Sequence, residues 1–179
     1  DPVAFVSGAD IWDTVTSLGA IATLPSNGTY FFGVSDLANG NGGTATGAFG
    51  TMEFDTVHIN GTQAYISFDY EVDGFDSGDD IEYELWADGT SQGTVLLIDG
   101  FGNLDANGTE YVAIPASTDS IRFEIRISQN GSDYGGIDNV QLLAGTVPAP
   151  PTIPTYPISA INNVDATTAV ADSIGVTCW

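Results

Sequence analysis

The stretch from Ala64 to Asp88, AYISFDYEVDGFDSGDDIEYELWAD, constrains this chain more than any other. Ile66, Phe68, Tyr70 and Val72 alternate with Ser67, Asp69 and Glu71, and then Ile81, Tyr83 and Leu85 alternate with Glu82, Glu84 and Trp86. A period of two puts the members of each set on opposite faces of a half-buried antiparallel strand. Between the runs, Asp73, Asp76, Asp79 and Asp80 place four carboxylates in eight residues. Such a density of like charge calls for open water or a cation. The stretch reads as a β-hairpin whose loop binds calcium.

The remaining composition narrows the setting. Twenty-four acidic residues face only two cations, Arg122 and Arg126, for a net charge of −22 across 179 residues. That surface repels phosphate backbones and anionic lipid, so neither nucleic acid nor a membrane is an expected partner. No apolar run approaches the ~20 residues of a membrane span. The chain starts at Asp1 with no basic leader, as a mature secreted or cell-surface protein would. A single cysteine, Cys178, excludes an internal disulfide framework, leaving packing and metal to stabilise the fold.

Further strands are expected at Val3–Val6, Ile21–Leu24, Thr29–Val34, Gly50–Ile59, Tyr111–Ile114, Ser120–Ser128 and Ile137–Leu143. The run TVLLI at 94–98 has the composition of a strand covered on both faces. Asp36–Thr46 and Asp99–Gly108 read as loops rich in glycine, asparagine and aspartate. About nine or ten short strands without helical periodicity predict an all-β, two-sheet antiparallel sandwich. Residues 1–146 form this module. Residues 147–157 hold five prolines in eleven residues and form a linker. Residues 158–179 are a tail or the start of a second domain, and one role for the tail is to donate a strand to another copy.

The oxygen-rich loops nominate Asp36, Asp73, Asp76, Asp79, Asp80 and Asp138 as calcium ligands, because hard oxygen donors suit calcium and one histidine with one cysteine suits no transition metal. Catalysis is not expected. His58 sits beside no serine or cysteine motif, no phosphate loop exists, and nothing outlines a cleft between paired carboxylates. Arg122 and Arg126 share the outward face of one strand, with Asp69, Glu71, Glu82 and Glu84 as cross-strand acceptors or an acidic sugar as the alternative. Trp86 also has outward parity and offers a ring for a sugar or a neighbouring subunit.

Three stretches, Tyr30–Leu37, Asp79–Leu85 and Tyr134–Leu142, resemble the jelly-roll modules of large bacterial secreted and surface proteins, relatives in shape of MAM and galactose-binding-like domains. The resemblance implies a structural calcium beside the Ile-Asp-Asn-Val ending, at Asp138 with Asp36 and Asp80. It implies contact with an extracellular glycan or surface protein and adds Tyr134 to Trp86, Arg122 and Arg126 as glycan-contact residues. Asp13-Thr14-Val15, Asp55-Thr56-Val57, Asp119-Ser120-Ile121 and Asp172-Ser173-Ile174 resemble O-glycosylation motifs of gliding bacteria, nominating Thr14, Thr56, Ser120 and Ser173. The tail resembles the opening of a following module in proteins exported by type IX secretion. The resemblance leaves three roles in view: a calcium-stabilised contact module, a filament or surface-assembly subunit, and the accessory region of a secreted hydrolase such as a nuclease.

Overall fold

Alternation in the sequence becomes a set of strands that share one core. The computed structural model describes residues 5–7, 10–37, 49–131 and 133–149, with side chains from residue 11 onward. Among them are β1 (Phe5–Ser7), β2 (Asp10–Val15), β3 (Phe31–Ser35), β4 (Gly50–His58) and β5 (Ala64–Phe75). These are followed by β6 (Asp80–Ala87), β7 (Thr90–Asp99), β8 (Leu104–Ala113), β9 (Ser120–Ser128) and β10 (Tyr134–Ala144). They form a six-stranded sheet in the order β1-β2-β3-β10-β5-β8 and a four-stranded sheet in the order β4-β9-β6-β7. Every pairing is antiparallel. The chain divides into two units, Asp1–Pro148 and Ala149–Trp179, and the expected linker from residue 150 and the tail lie outside the described residues.

The two sheets bury their inner faces against each other. Phe68 of β5, Tyr83 of β6 and Phe123 of β9 meet at the centre with ring centroids 5.8 to 5.9 Å apart. Ile66, Val72, Ile81, Leu85, Ile125 and Ile127 extend the same layer, all buried. Each such side chain contributes about 1.5–3 kcal/mol by leaving water.

The stretch 64–88 is not the hairpin its alternation predicted. β5 pairs with β8 and β10, whereas β6 pairs with β7 and β9, so the two runs belong to opposite sheets. Their apolar faces meet across the core instead of lying side by side, and residues 76–79 carry the chain between the sheets. The true hairpin is β6–β7, turned by Asp88 and Gly89 with φ of 50° and 76°. Positive φ at both residues is the geometry that Asp-Gly favours in tight hairpins.

Three other expectations shift for physical reasons. The TVLLI run lies in β7 at a sheet edge, and Val95 and Leu96 are 43% and 50% exposed rather than covered on both faces. β8 begins at Leu104, inside a stretch that read as loop, because β5 offers it a ladder from Phe75↔Leu104 to Tyr65↔Ala113. Tertiary pairing here overrides weak local propensity. Ile21–Leu24 is not a strand but part of a strap, residues 16–30, laid over the outer face of the six-stranded sheet.

Leu18, Ile21 and Leu24 of the strap pack with Phe31, against Val15 and Tyr134, as a second small core. Glu71 fastens it. Its carboxylate accepts the backbone N–H groups of Ala22 (2.9 Å), Thr23 (2.7 Å) and Leu24 (3.2 Å) and the Thr23 hydroxyl (2.8 Å). Burial acts to raise the Glu71 pKa, and these four donors outweigh it, leaving the group below its ordinary value. Asp138 accepts the N–H groups of Ser26 (2.8 Å) and Asn27 (3.0 Å), and Asp69 accepts the hydroxyls of Ser26 and Thr109.

Because the folded pKa of Glu71 lies below the unfolded one, its contribution is present above the unfolded value near 4.5 and is lost as pH falls through the folded value. Glu71→Ala is expected to cost about 1–3 kcal/mol at neutral pH by leaving the strap's amide donors, that of buried Leu24 among them, without their acceptor, and less in acid, as read by urea unfolding at both pH values.

Candidate metal centre and sheet-face tryptophan

The corner between β5 and β6 places a carboxylate where water does not reach. Asp79 is fully buried. Its Oδ1 accepts the Asn130 backbone N–H (2.9 Å) and side-chain amide (2.8 Å), and its Oδ2 accepts the Asp76 N–H (3.1 Å). These bonds dock the loop after β9 onto the corner and bring Asp133 with it. One carboxylate oxygen from each of Asp76, Asp79 and Asp133 lies within 4.8 Å of the others. Burial, then a hydrogen bond shared with Asp79, then the charges of Asp79, Asp76 and Asp73 push the Asp133 pKa up to about 6.

Backbone oxygens converge at the same corner. A Cβ placed on Gly100 would lie 2.2 Å from the Asp76 carbonyl oxygen and 2.4 Å from that of Asp79, so only glycine fits. The Gly100 N–H donates to the Asp79 carbonyl at 2.8 Å. The donor set is all oxygen, with three carboxylates whose mutual repulsion a cation would relieve. That chemistry fits a hard divalent ion such as calcium.

The structure brings together two of the six predicted ligands, Asp76 and Asp79, with Asp133, which was not among them. Asp73 acts on Asp133 through its charge but is not a member of the group. Asp80 is raised by burial and then by Asp99, its cross-strand partner on β7. Asp138 lies under the strap, bonded to Ser26 and Asn27, and Asp36 follows β3 with a φ of 48° outside the group. The loop from Asp133 to Asn139 reads as oxygen-rich in sequence, but the nomination falls on Asp138 instead, because the partners of Asp133 come from a corner more than fifty residues earlier.

The predicted glycan contacts divide between two places. Trp86, Arg122 and Arg126 line the outer face of the four-stranded sheet, while Tyr134 packs against the strap's apolar cluster. The Arg122 guanidinium lies 3.9 Å from the Trp86 ring centroid and pairs with Glu53 (2.7 Å) and Glu124 (3.1 Å). Arg126 Nη2 bonds Glu84 (2.9 Å), while its Nε is 3.0 Å from Glu82 without hydrogen-bond alignment. The expected acceptors Glu82 and Glu84 are therefore used. Asp69 and Glu71 are not, because they face outward from the other sheet and hold the strap.

Beside Trp86 the surface dips into a depression of about 400 Å³ lined by Thr56, Trp86, Gly89, Ser120, Ile121 and Arg122. Of the nominated glycosylation positions, Thr14 and Thr56 are exposed, and Ser120 is half-buried with its hydroxyl 3.3 Å from Asp88. Ser173 lies outside the described residues. Among the described residues no helix is long and apolar enough to cross a membrane.

No family model matches the chain, and no curated protein does. Among solved structures, TmCBM61 in complex with β-1,4-galactotriose is similar at 13% identity and a TM-score of 0.50, over 74% of this chain and 81% of that one. A cleaved adhesin domain of Lys-gingipain from Porphyromonas gingivalis is matched at 11% identity and a TM-score of 0.41, over 65% and 75%. A family 16 carbohydrate-binding module is matched at 14% identity and a TM-score of 0.37, over 65% and 78%. The first likeness agrees with the fold described above, a two-sheet antiparallel jelly-roll sandwich.

Gly100→Ala is expected to lower stability by about 1–3 kcal/mol, since the new methyl must displace two main-chain carbonyls, and the loss is read as a lower urea midpoint.

Proposed function

We propose that this sandwich is a non-catalytic extracellular module that contacts a neutral glycan through the outer face of its four-stranded sheet and is stiffened by calcium at Asp76, Asp79 and Asp133. The observation that carries the reading is the depression beside Trp86, where an aromatic ring, a fixed guanidinium and the hydroxyls of Thr56 and Ser120 share one concave surface. A sugar presents an apolar face of C–H groups and a rim of hydroxyls, and this surface offers a partner for each. The likeness of the fold to a carbohydrate-binding module crystallised with a galactotriose supports the same reading. Neutral sugar is favoured because Arg122 and Arg126 each already face two glutamates, leaving no guanidinium free to clamp a sugar carboxylate.

Affinity electrophoresis against neutral galactans and glucans is the test. Trp86→Ala is expected to weaken binding about tenfold, or ~1.4 kcal/mol, with only a small drop in melting temperature from the lost Arg122 stacking. Retardation by neutral polysaccharide that survives Trp86→Ala would move the site elsewhere, and no retardation by any polysaccharide would sink the glycan reading.

Calcium has a separate readout. Binding only to the folded state stabilises by about 2.7 kcal/mol at a hundredfold excess over Kd, so the melting temperature rises in calcium relative to EDTA. Asp133→Asn relieves the carboxylate crowding and is expected to make the cation-free protein more stable while removing the response to calcium. An unchanged melting temperature for the wild-type chain in millimolar calcium excludes the site.

A further inference from the structure

The described sheet edges differ in how they resist a neighbouring strand. β1 is only three residues long. β4 carries Glu53 and Asp55 and a register shift after Phe54. β8 carries Asp105 and also Glu110, whose carboxylate turns inward to accept the Tyr83 hydroxyl at 2.9 Å. Short length, charge, bulges and inward carboxylates are the devices that block strand addition.

β7 has no charged residue from Thr90 to Ile98. Like β4 it is bulged, with two register shifts toward β6 that limit the regular stretch to Thr94–Leu96, so absence of charge is what sets it apart; Val95 and Leu96 there are 43% and 50% exposed. Behind this edge Arg126 offsets one of the two charges of Glu82 and Glu84 on β6. The strand therefore combines a composition suited to full burial with a sheet-edge position and no charged side chain from Thr90 to Ile98, in a chain of net charge −22.

We propose that β7 pairs antiparallel with β7 of a second copy of this chain. In a two-fold pairing each strand meets itself, and like charges directly opposite are destabilising. The same pairing at β4 or β8 brings carboxylates of both copies into the shared strip, whereas at β7, centred on Thr94, every residue from Thr90 to Ile98 meets a neutral one. A basic partner strand has no reason to select a neutral edge on an acidic protein. A second copy does, because this strip is where two bodies of −22 approach with least repulsion.

Sedimentation equilibrium of the full chain over a concentration series, at low and moderate salt, tests the proposal together with hydrogen exchange of the Thr94–Leu96 amides. The expected result is a dimer that tightens as salt screens the net repulsion, with edge amides protected only at high concentration. Leu96→Lys changes an exposed, outward side chain and is expected to weaken dimerisation at least tenfold, with the melting temperature at low concentration unchanged. A monomer at every concentration overturns the proposal. So does a dimer indifferent to Leu96→Lys, or edge amides protected in the monomer, which would mean that the chain covers β7 itself.

Discussion

Carboxylates bonded to main-chain amides hold this structure together. A chain with 24 acidic residues and two arginines cannot neutralise its charge by ion pairs. It turns instead to the donor every non-proline residue supplies. Glu71 takes three consecutive N–H groups of the strap, Asp138 takes two more, Asp79 ties the inter-sheet corner to the loop after β9, and Asp88 takes those of Asp119 and Ser120. Hydrogen bonds to charged acceptors are roughly twice as strong as neutral ones. Each of these also fixes an irregular segment that has no ladder to satisfy it.

The same economy separates the anchored acids from the crowded ones. Where one carboxylate faces several amides, its pKa falls, as at Glu71. Where burial and neighbouring carboxylates dominate, it rises, as at Asp133. The first arrangement is complete without an ion, and the second is the one that a cation would relieve. Charge density in the sequence does not distinguish them, since Asp69-Tyr-Glu71 and Asp76-Ser-Gly-Asp79 look equally acidic.

That limit explains how far the sequence was legible. Period-two alternation in β5, β6 and β9 correctly assigned the inner faces, and Phe68, Tyr83 and Phe123 meet in the core as their parity required. Alternation identifies a face and not a neighbour, so it could not tell that β5 and β6 lie in opposite sheets. The Asp88-Gly89 turn was the local signal for the real hairpin. Glu71 read as outward, which its parity supports, yet it is buried because a strap with no periodicity of its own covers it. The acidic corner was visible at Asp76 and Asp79, but Asp133 enters only through the fold.

The placement of the two arginines has an outcome for how the protein meets proteases. Both lie within β9, a strand hydrogen-bonded on either side by β4 and β6, and the chain contains no lysine. Trypsin-like enzymes need an extended basic residue free of its sheet, so the native fold offers them no bond to cut. Cleavage must wait until the four-stranded sheet opens, and digestion by such an enzyme becomes a gauge of unfolding rather than of surface loops.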